Sequence, residues 1–268
     1  GDGKSDILWR NGASGLNAIW KSANGATVQA VNTLSDQNWK VAGVGDFDGD
    51  GKADILWRNA STGVNTIWKS GNSATSQAVS PIADQNWQIA AVGDYGGDGK
   101  ADILWRNSVN GQGVIWNSGN SATIQAFATL ADLNWKVVPY PEPPANTAQV
   151  LNDFDGDGKS DILWRNTANG SEVIWKSANS ATVQGVSTLA DQNWKVMALG
   201  DFDGDGKADI LWRNTTTGAN TIWKSGNSAT SQAVSPLANQ DWKIMGAGDF
   251  DGDGKADILW RNTTNGQA

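Results

Sequence analysis

Acidic residues recur in this chain at a spacing that suits a divalent cation. The segment DFDGDGKAD places Asp46, Asp48 and Asp50 at positions 1, 3 and 5 of a loop, with Gly51 at position 6, where the chain must turn sharply. Carboxylates at this spacing can face one cation, and the main-chain carbonyl of position 7 and the Asp of position 9 complete the ligand set. All of these donors are oxygen atoms, which favours Ca²⁺ over zinc or copper.

The complete loop occurs four times. With the Lys of position 7 included for its carbonyl, the predicted metal ligands are Asp46, Asp48, Asp50, Lys52 and Asp54; Asp153, Asp155, Asp157, Lys159 and Asp161; Asp201, Asp203, Asp205, Lys207 and Asp209; and Asp249, Asp251, Asp253, Lys255 and Asp257. Asp-Gly runs also form ordinary hairpin turns, but four copies that each keep the ninth-position Asp favour calcium. Because four crowded carboxylates would repel one another without a cation, we expect the calcium to be mainly structural.

Two further copies of the loop are incomplete. The copy that begins at Asp94 has Gly96 at position 3, so we expect weak or no calcium binding there. The first copy is cut, and only Asp2 and Asp6 remain of it.

The loops belong to a longer internal repeat. The hexapeptide DILWRN recurs at a spacing of 48 residues, with one longer spacing of 59 residues, and begins at Asp6, Asp54, Asp102, Asp161, Asp209 and Asp257. Each unit contains four predicted strands, which in the second unit are residues 39–44, 54–59, 65–70 and 74–80, separated by turn-forming Gly, Asn, Asp and Ser clusters. No segment shows a 3.6-residue apolar period, so almost no helix is expected.

These repeats predict an all-β fold, a β-propeller of four-stranded antiparallel blades with about 48 residues per blade. We expect five blades, with six or more as the alternative. The predicted domain is residues 1–268 as a single propeller with a Pro-rich insertion at 139–148. The alternative is a junction between two partial propellers, in which residues 135–138 close one blade and residues 149–153 start another.

The composition excludes several classes of function. The chain has no Cys and no His, which removes disulfides, zinc–thiolate sites, thiol nucleophiles and the commonest general base. Its carboxylates lie mostly in the predicted metal loops, so we predict that the protein is not an enzyme. The formal net charge of −8 disfavours nucleic acid as a partner, and the lack of a run of 18 apolar residues predicts no membrane insertion.

Tryptophan and arginine mark a second candidate site. The chain has 16 Trp residues, and each Arg follows the Trp of an LWRN segment. We expect residues 57–59 to approach residues 86–87 at a connection between blades, on the face opposite to the calcium loops. A flat ring beside amide and guanidinium donors suits a sugar ring. The candidate ligand-binding residues are Trp57, Arg58, Asn59, Trp87, Trp105, Arg106, Trp135, Trp212, Arg213 and Trp242. The alternative is that these rings are inter-blade core with Arg stacked on them.

The run DFDGDGKADILWRN resembles the FG-GAP/VCBS repeats of integrin-like propellers, which occur in secreted bacterial proteins, some fungal lectins and integrin α-subunits. The resemblance covers nearly the whole chain and implies a calcium-binding propeller in an extracellular or cell-surface location. The expected function is a non-catalytic binding module, lectin-like or adhesive, whose partner is a glycan or a cell-surface ligand. Oligomerisation is compatible with this expectation. The alternative is a structural spacer or docking domain of a larger secreted protein.

Overall fold

The repeat units fold into small antiparallel sheets whose strands are neighbours in the order of the sequence. The computed structural model describes residues 2–138 and 152–268, and these residues form six such sheets. Four sheets have four strands, one has three and one has two. This up-and-down order is that of a propeller blade, and the predicted all-β propeller of four-stranded blades is confirmed.

The strands are numbered along the chain and grouped by sheet. Sheet 1 contains β1 (Ile7–Arg10), β2 (Asn17–Trp20) and β3 (Val28–Val31). Sheet 2 contains β4 (Trp39–Gly45), β5 (Asp54–Asn59), β6 (Asn65–Trp68) and β7 (Ser76–Val79), and sheet 3 contains β8 (Trp87–Gly93), β9 (Asp102–Asn107), β10 (Gly113–Trp116) and β11 (Ile124–Phe127). Sheet 4 contains β12 (Trp135–Val137), β13 (Ile162–Asn166), β14 (Glu172–Trp175) and β15 (Val183–Val186). Sheet 5 contains β16 (Trp194–Gly200), β17 (Asp209–Asn214), β18 (Asn220–Trp223) and β19 (Ser231–Val234), and sheet 6 contains β20 (Trp242–Gly248) and β21 (Asp257–Asn262).

The third strand of each complete unit is shorter than predicted. In sheet 2 the strand ends at Trp68, and Lys69–Gly71 forms a single 3-10 turn in which Ser70 has a φ of 49°. The backbone N–H of Ser70 donates a 2.8 Å hydrogen bond to the carboxylate of Asp54, which holds the chain in this turn. The other 3-10 segments of the described residues are Lys21–Ala23, Ser73–Thr75, Asn117–Gly119, Lys176–Ala178, Lys224–Gly226 and Ser228–Thr230.

The described residues divide into two compact units, with sheets 1–3 in the first and sheets 4–6 in the second. In each unit the hydrophobic core lies between neighbouring sheets. Leu56 and Ile67 of sheet 2 pack with Ile103 and Trp105 of sheet 3, and all four side chains are fully buried. The same strand positions of sheets 4 and 5 form a second core in the other unit. One sheet cannot bury both of its faces, so these inter-sheet cores hold the blades together.

The predicted insertion at 139–148 lies outside the described residues, as do residues 149–151 of the strand predicted after it. The chain before and after the insertion belongs to one sheet, because Trp135 pairs with Asn166 and Val137 pairs with Trp164. Residues 135–137 therefore form the first strand of sheet 4. The assignment of residues 1–268 to a single propeller, with a junction between two partial propellers as the alternative, stays a prediction. Within the described ranges, no helix has the length and apolar character needed to cross a membrane.

Candidate functional site

The first complete loop connects β4 to β5 and is shaped by its own leading carboxylate. Oδ1 of Asp46 accepts hydrogen bonds from the backbone N–H groups of Gly49 at 2.7 Å and Asp50 at 3.2 Å, and Oδ2 accepts one from Gly51 at 2.8 Å. Gly49 and Gly51 have φ values of 80° and 77°, a backbone conformation that favours glycine. The DxDxDG pattern therefore folds into a tight turn around the first Asp.

The ninth residue of the loop is the most buried of its carboxylates. Asp54 has no solvent exposure, and its two oxygens accept hydrogen bonds from the backbone N–H groups of Phe47 at 2.9 Å and Ser70 at 2.8 Å. Burial raises the pKa of Asp54 to about 6, the two N–H donors oppose the rise, and the nearby carboxylates of Asp48 and Asp46 add to it. A cation beside this group would offset both the burial and the repulsion.

Equivalent carboxylates in the second unit have the same surroundings. Burial raises the pKa of Asp161 to about 7 and that of Asp209 to about 6, again with a contribution from the Asp residues at positions 1 and 3. Each loop thus concentrates negative charge at the point where the first strand of a sheet meets the second.

All four complete loops bring carboxylate oxygens close enough together to share one ion. The oxygens of each group lie within 4.8 Å of one another, and the groups are Asp46, Asp48 and Asp50; Asp153, Asp155 and Asp161; Asp201, Asp203 and Asp209; and Asp249, Asp251 and Asp257. Two oxygens that bind the same Ca²⁺ at 2.3–2.6 Å are at most about 5 Å apart, so these donor sets fit calcium in distance and in chemistry.

Other predicted ligands form hydrogen bonds within their own loops. Asp157 and Asp205 each accept a hydrogen bond from the backbone of the Lys two residues later, at 2.8 and 2.9 Å. In the fourth loop the carboxylate of Asp249 accepts bonds from the backbone N–H groups of Asp253 at 3.1 Å and Gly254 at 3.0 Å, as Asp46 does in the first loop. Calcium ligation by these carboxylates and by the carbonyls of Lys52, Lys159, Lys207 and Lys255 stays a prediction.

The incomplete loop at Asp94 folds like the others. The carboxylate of Asp94 accepts backbone N–H bonds from Gly97 at 2.6 Å and Gly99 at 2.8 Å. Gly96 stands where the other loops carry the Asp of position 3, and its N–H bonds to Asp102 at 3.1 Å. The loop shape therefore depends on the first Asp and does not require an Asp at position 3.

The Asp of position 3 has a lysine partner that the sequence analysis missed. Nζ of a Lys that follows the third strand lies 3.1–3.3 Å from this carboxylate in three sheets, in the pairs Lys69–Asp48, Lys176–Asp155 and Lys224–Asp203. In sheet 3, where Gly96 replaces the Asp, Asn117 replaces the Lys. This joint replacement was visible in the sequence, but only the sheet register shows that the two positions are in contact.

Four of the six LWRN tryptophans, among them the three proposed as ligand residues, are fully buried. Trp57, Trp105 and Trp212 are 0% exposed, so none of them can present a ring to a ligand. The guanidinium of the preceding sheet lies over each ring at 5.0–5.1 Å, in the pairs Arg10–Trp57, Arg58–Trp105 and Arg165–Trp212. For these three rings the predicted ligand role is wrong, because they complete the core between sheets.

The arginines of the same segments form hydrogen bonds to the backbone of the connections between sheets. Arg58 is 9% exposed, and its guanidinium donates to the carbonyls of Gly63 at 3.2 Å, Ile82 at 3.1 Å and Trp87 at 3.2 Å. The predicted approach of residue 58 to the 86–87 connection is therefore correct. Arg213 makes the equivalent bonds in sheet 5, to the carbonyls of Gly218 at 3.1 Å and Leu237 at 2.8 Å.

Asn59 and Arg106 are equally buried, at 5% and 8% exposure. The amide of Asn59 donates to Asp36 at 3.0 Å, and Arg106 donates to the carbonyl of Leu130 at 2.9 Å. The amide of Asn59 and the guanidinium of Arg106 are thus buried and hydrogen-bonded within the fold, which leaves few of their donor groups available to a ligand.

Three predicted ligand residues keep partial exposure. Trp87, Trp135 and Trp242 each begin the first strand of a sheet and are half-buried. Their sheets position them alike, since Trp87 pairs with Asn107 and Trp242 pairs with Asn262. Of the ten residues proposed from the sequence, only these rings can still contact a sugar.

The family assignment follows from the repeat itself. A family model described as an FG-GAP-like repeat matches residues 1–57, 46–105, 153–212 and 201–260. The chain belongs to the FG-GAP-like repeat family. In this FG-GAP-like repeat protein, three of the matches begin at the first Asp of a complete loop, and all four end at the Trp of an LWRN segment. The family signature therefore contains both the acidic loop and the strand that follows it.

Solved structures similar to this FG-GAP-like repeat protein share its propeller fold at low identity. A lectin from Agrocybe aegerita that recognises non-reducing terminal N-acetylglucosamine has a TM-score of 0.59 and 15% identity, over 96% of this chain and 71% of the lectin. A chain of a nidogen/laminin complex has a TM-score of 0.56 and 11% identity, over 96% of this chain and 85% of that one. A streptogramin B lyase has a TM-score of 0.51 and 7% identity, over 88% and 67% of the two chains. These likenesses establish the fold alone, and no curated protein sequence matches the chain significantly.

Proposed function

We propose that this FG-GAP-like repeat protein is a non-catalytic, calcium-stabilised binding module of the extracellular space or the cell surface, and that its ligand is a carbohydrate. The observation that carries the calcium part is the repeated carboxylate group, with its oxygens within 4.8 Å of one another, in the loop between the first two strands of sheets 2, 4, 5 and 6. When calcium is bound, it supplies a positive charge that links the two strands flanking each loop. The chain's own residues shape the loop and hold the carboxylates in place.

Calcium binding has a measurable consequence for stability. A site occupied at 10 to 100 times its Kd contributes about 1.4–2.7 kcal/mol to the free energy of unfolding. For a chain of this size, each kcal/mol changes the melting temperature by about 2–4 °C. Removal of calcium with EGTA should therefore lower the melting temperature by about 10 °C or more, as measured by differential scanning calorimetry. The same melting curve in 5 mM CaCl₂ and in EGTA would contradict the calcium assignment.

The carbohydrate part is supported by the half-buried rings of Trp87, Trp135 and Trp242 and by the likeness of the fold to a lectin. An indole face stacks on the apolar face of a sugar, and polar groups at its edge bond to the hydroxyls. A glycan array probed in saturating calcium tests this. Binding to defined glycans that EGTA abolishes is the expected result, and no binding above background would favour the spacer or docking role.

A catalytic role has little chemical basis in this chain. Neither His nor Cys is present, and the acidic groups with raised pKa values are Asp54, Asp102, Asp161 and Asp209, which lie in the acidic loops. A carboxylate that coordinates a metal ion is not available to accept or donate a proton in catalysis. A non-catalytic binding role therefore explains these residues without an additional catalytic function.

A further inference from the structure

A polar groove lies between sheets 2 and 3, beside the first calcium loop. Its volume is about 440 Å³, and its lining includes Asp48, Lys69, Gln77, Ser80, Lys100 and Ser121. Two contacts tie its walls together: Gln77 donates to the carbonyl of Ser118 at 3.3 Å, and the hydroxyls of Ser80 and Ser121 lie 2.6 Å apart. This sheet 2–3 groove therefore offers amide, hydroxyl and ammonium groups on one concave surface.

Sheets 4 and 5 of the second unit repeat the contacts that build the groove. Gln184 donates to the carbonyl of Ser225 at 2.9 Å, and the hydroxyls of Ser187 and Ser228 lie 2.6 Å apart. The stem of Lys207 passes 3.3 Å from the place that a Cβ on Gly156 would take, as the stem of Lys100 passes 3.2 Å from that of Gly49. The sheet 4–5 groove, defined by these residues, is thus a second copy.

The ammonium groups of Lys69 and Lys100 in the sheet 2–3 groove differ in their ion pairing. Lys69 is paired with Asp48 at 3.2 Å. Lys100 is half-buried, and it forms no ion pair with any residue in the described ranges. A Cβ on residue 49 would lie 3.2 Å from Cε of Lys100, so the lysine stem packs closely on the turn of the first complete loop, beside the groove.

Calcium would change the partner of Lys69. If Asp48 binds the ion as proposed above, its carboxylate is shared with a divalent charge and its attraction for the lysine falls. The charged side chains that line the groove are Asp48, Lys69 and Lys100. With Asp48 bound to calcium, the two ammonium groups are the charges that a ligand meets in the groove, so the groove attracts an anion more strongly with calcium than without it.

We propose that the sheet 2–3 groove and its copy bind an anionic, hydroxyl-rich sugar such as a sulfated sugar, and that calcium in the adjacent loop switches this binding on. Lys69 and Lys100 contact the anionic group, while the hydroxyls of Ser80 and Ser121 and the amide of Gln77 contact the sugar hydroxyls. This inference rests on the proposed calcium and carbohydrate function and adds a second site, apart from the rings of Trp87, Trp135 and Trp242, with its sugar class and its switch.

Isothermal titration of the full chain tests the proposal in two steps. Calcium is titrated first, and galactose 6-sulfate is then titrated in 5 mM CaCl₂ and in EGTA, with galactose and inorganic sulfate as matched probes. We expect binding of the sulfated sugar only with calcium, and at least tenfold weaker binding of galactose and of sulfate. Absence of calcium binding would contradict the proposed function, whereas calcium binding without sugar binding would overturn this inference alone.

Variants at the two grooves test whether the groove lysines, and not lysines elsewhere on the protein, bind the sulfated sugar. The double variant Lys100→Gln with Lys207→Gln should bind the sulfated sugar about tenfold more weakly, since a charge-assisted hydrogen bond contributes about 1.5 kcal/mol. The sugar affinities of all variants are compared in saturating calcium, so that weaker binding reports the loss of the ammonium groups. The control is Lys40→Gln with Lys195→Gln, two exposed lysines on first strands. Equal affinities for the two variants, equal affinity for galactose and its sulfate, or binding that persists in EGTA would each overturn the proposal.

Discussion

Restoration of the incomplete loop is a direct test of the metal assignment. In sheet 3, Gly96 occupies position 3, and a Cβ added there would lie 3.7 Å from Oδ2 of Asp102 and 4.0 Å from Oδ1 of Asp94, which is ordinary contact. Its φ is not in the left-handed region. The loop is also already folded by the carboxylate of Asp94. Gly96→Asp should therefore add a ligand without rebuilding the turn.

The energetic effect of Gly96→Asp should change sign with calcium. Without calcium, a new carboxylate about 5 Å from the existing ones costs about 1–3 kcal/mol, depending on how far water screens the pair. With calcium at 10 to 100 times Kd, the new site contributes about 1.4–2.7 kcal/mol. Asn117→Lys in the same chain supplies the partner that Lys69 gives to Asp48, so it should reduce the cost in the calcium-free protein.

Calcium titration and melting curves measure both effects. We expect Gly96→Asp to raise the calcium stoichiometry by one, to lower the melting temperature in EGTA and to raise it in calcium. The matched control is Gly96→Asn, which has nearly the same size but no charge, and which should show a smaller change in both conditions. An unchanged stoichiometry, or equal effects of Asp and Asn, would refute the assignment of position 3 as a metal ligand.

Three further predictions concern the core and the buried charges. Trp105→Ala should lower the free energy of unfolding by about 3–5 kcal/mol in chemical denaturation because the ring is fully buried, and Trp87→Ala should cost less than half as much; equal losses would contradict the assigned burial. Glu172→Asn should stabilise the protein by about 1 kcal/mol in the same assay, because the Asn65 amide donates to the carbonyls of Gly63 and Ser80 in sheet 2 whereas an ionised Glu has no donor; a loss of stability would refute this. In EGTA, the melting temperature should rise as the pH falls from 8 to 6: burial raises the pKa values of Asp54 and Asp161 to about 6 and 7, so the cost of their charge is present above the folded pKa and is lost on protonation. Saturating calcium should abolish this rise, and a flat profile in EGTA would contradict it.

The sheets were predictable because each repeat unit contains the same series of strand-forming and turn-forming segments. The apolar run in DILWRN and the turn residues around it define β5 and its equivalents, and the bounds of Asp54–Asn59 match the prediction. The ends of the third strands were not predictable in the same way. Ser70 adopts a positive φ because a carboxylate 16 residues earlier accepts its N–H, and no local propensity encodes that bond.

The carboxylate spacing also predicted which residues meet, but it did not predict what else they contact. Spacing within one loop fixes Asp46, Asp48 and Asp50 relative to one another, since nine residues leave little freedom. The Lys69–Asp48 pair depends on the register of β5 against β6, and the sequence alone gives no register. For the tryptophans, composition could not separate a core ring from a ligand ring. Trp57 and Trp87 differ only in which strand position they hold, and that position decides their burial.

Two differences between the near-identical units each involve a pair of residues that contact each other, and one of these pairs explains the lysine contacts. Asn65 is opposite Val79 in sheet 2, whereas Gly113 is opposite Phe127 in sheet 3. A Cβ on Gly113 would lie 2.4 Å from the Phe127 ring, so the larger ring requires the missing side chain. Gly96 and Asn117 change together in the same sheet. A lysine that served only solubility would have no reason to be replaced together with the Asp of position 3. The position of Lys69 and its equivalents is therefore best explained by their ion pair with that Asp, which calcium binding would weaken.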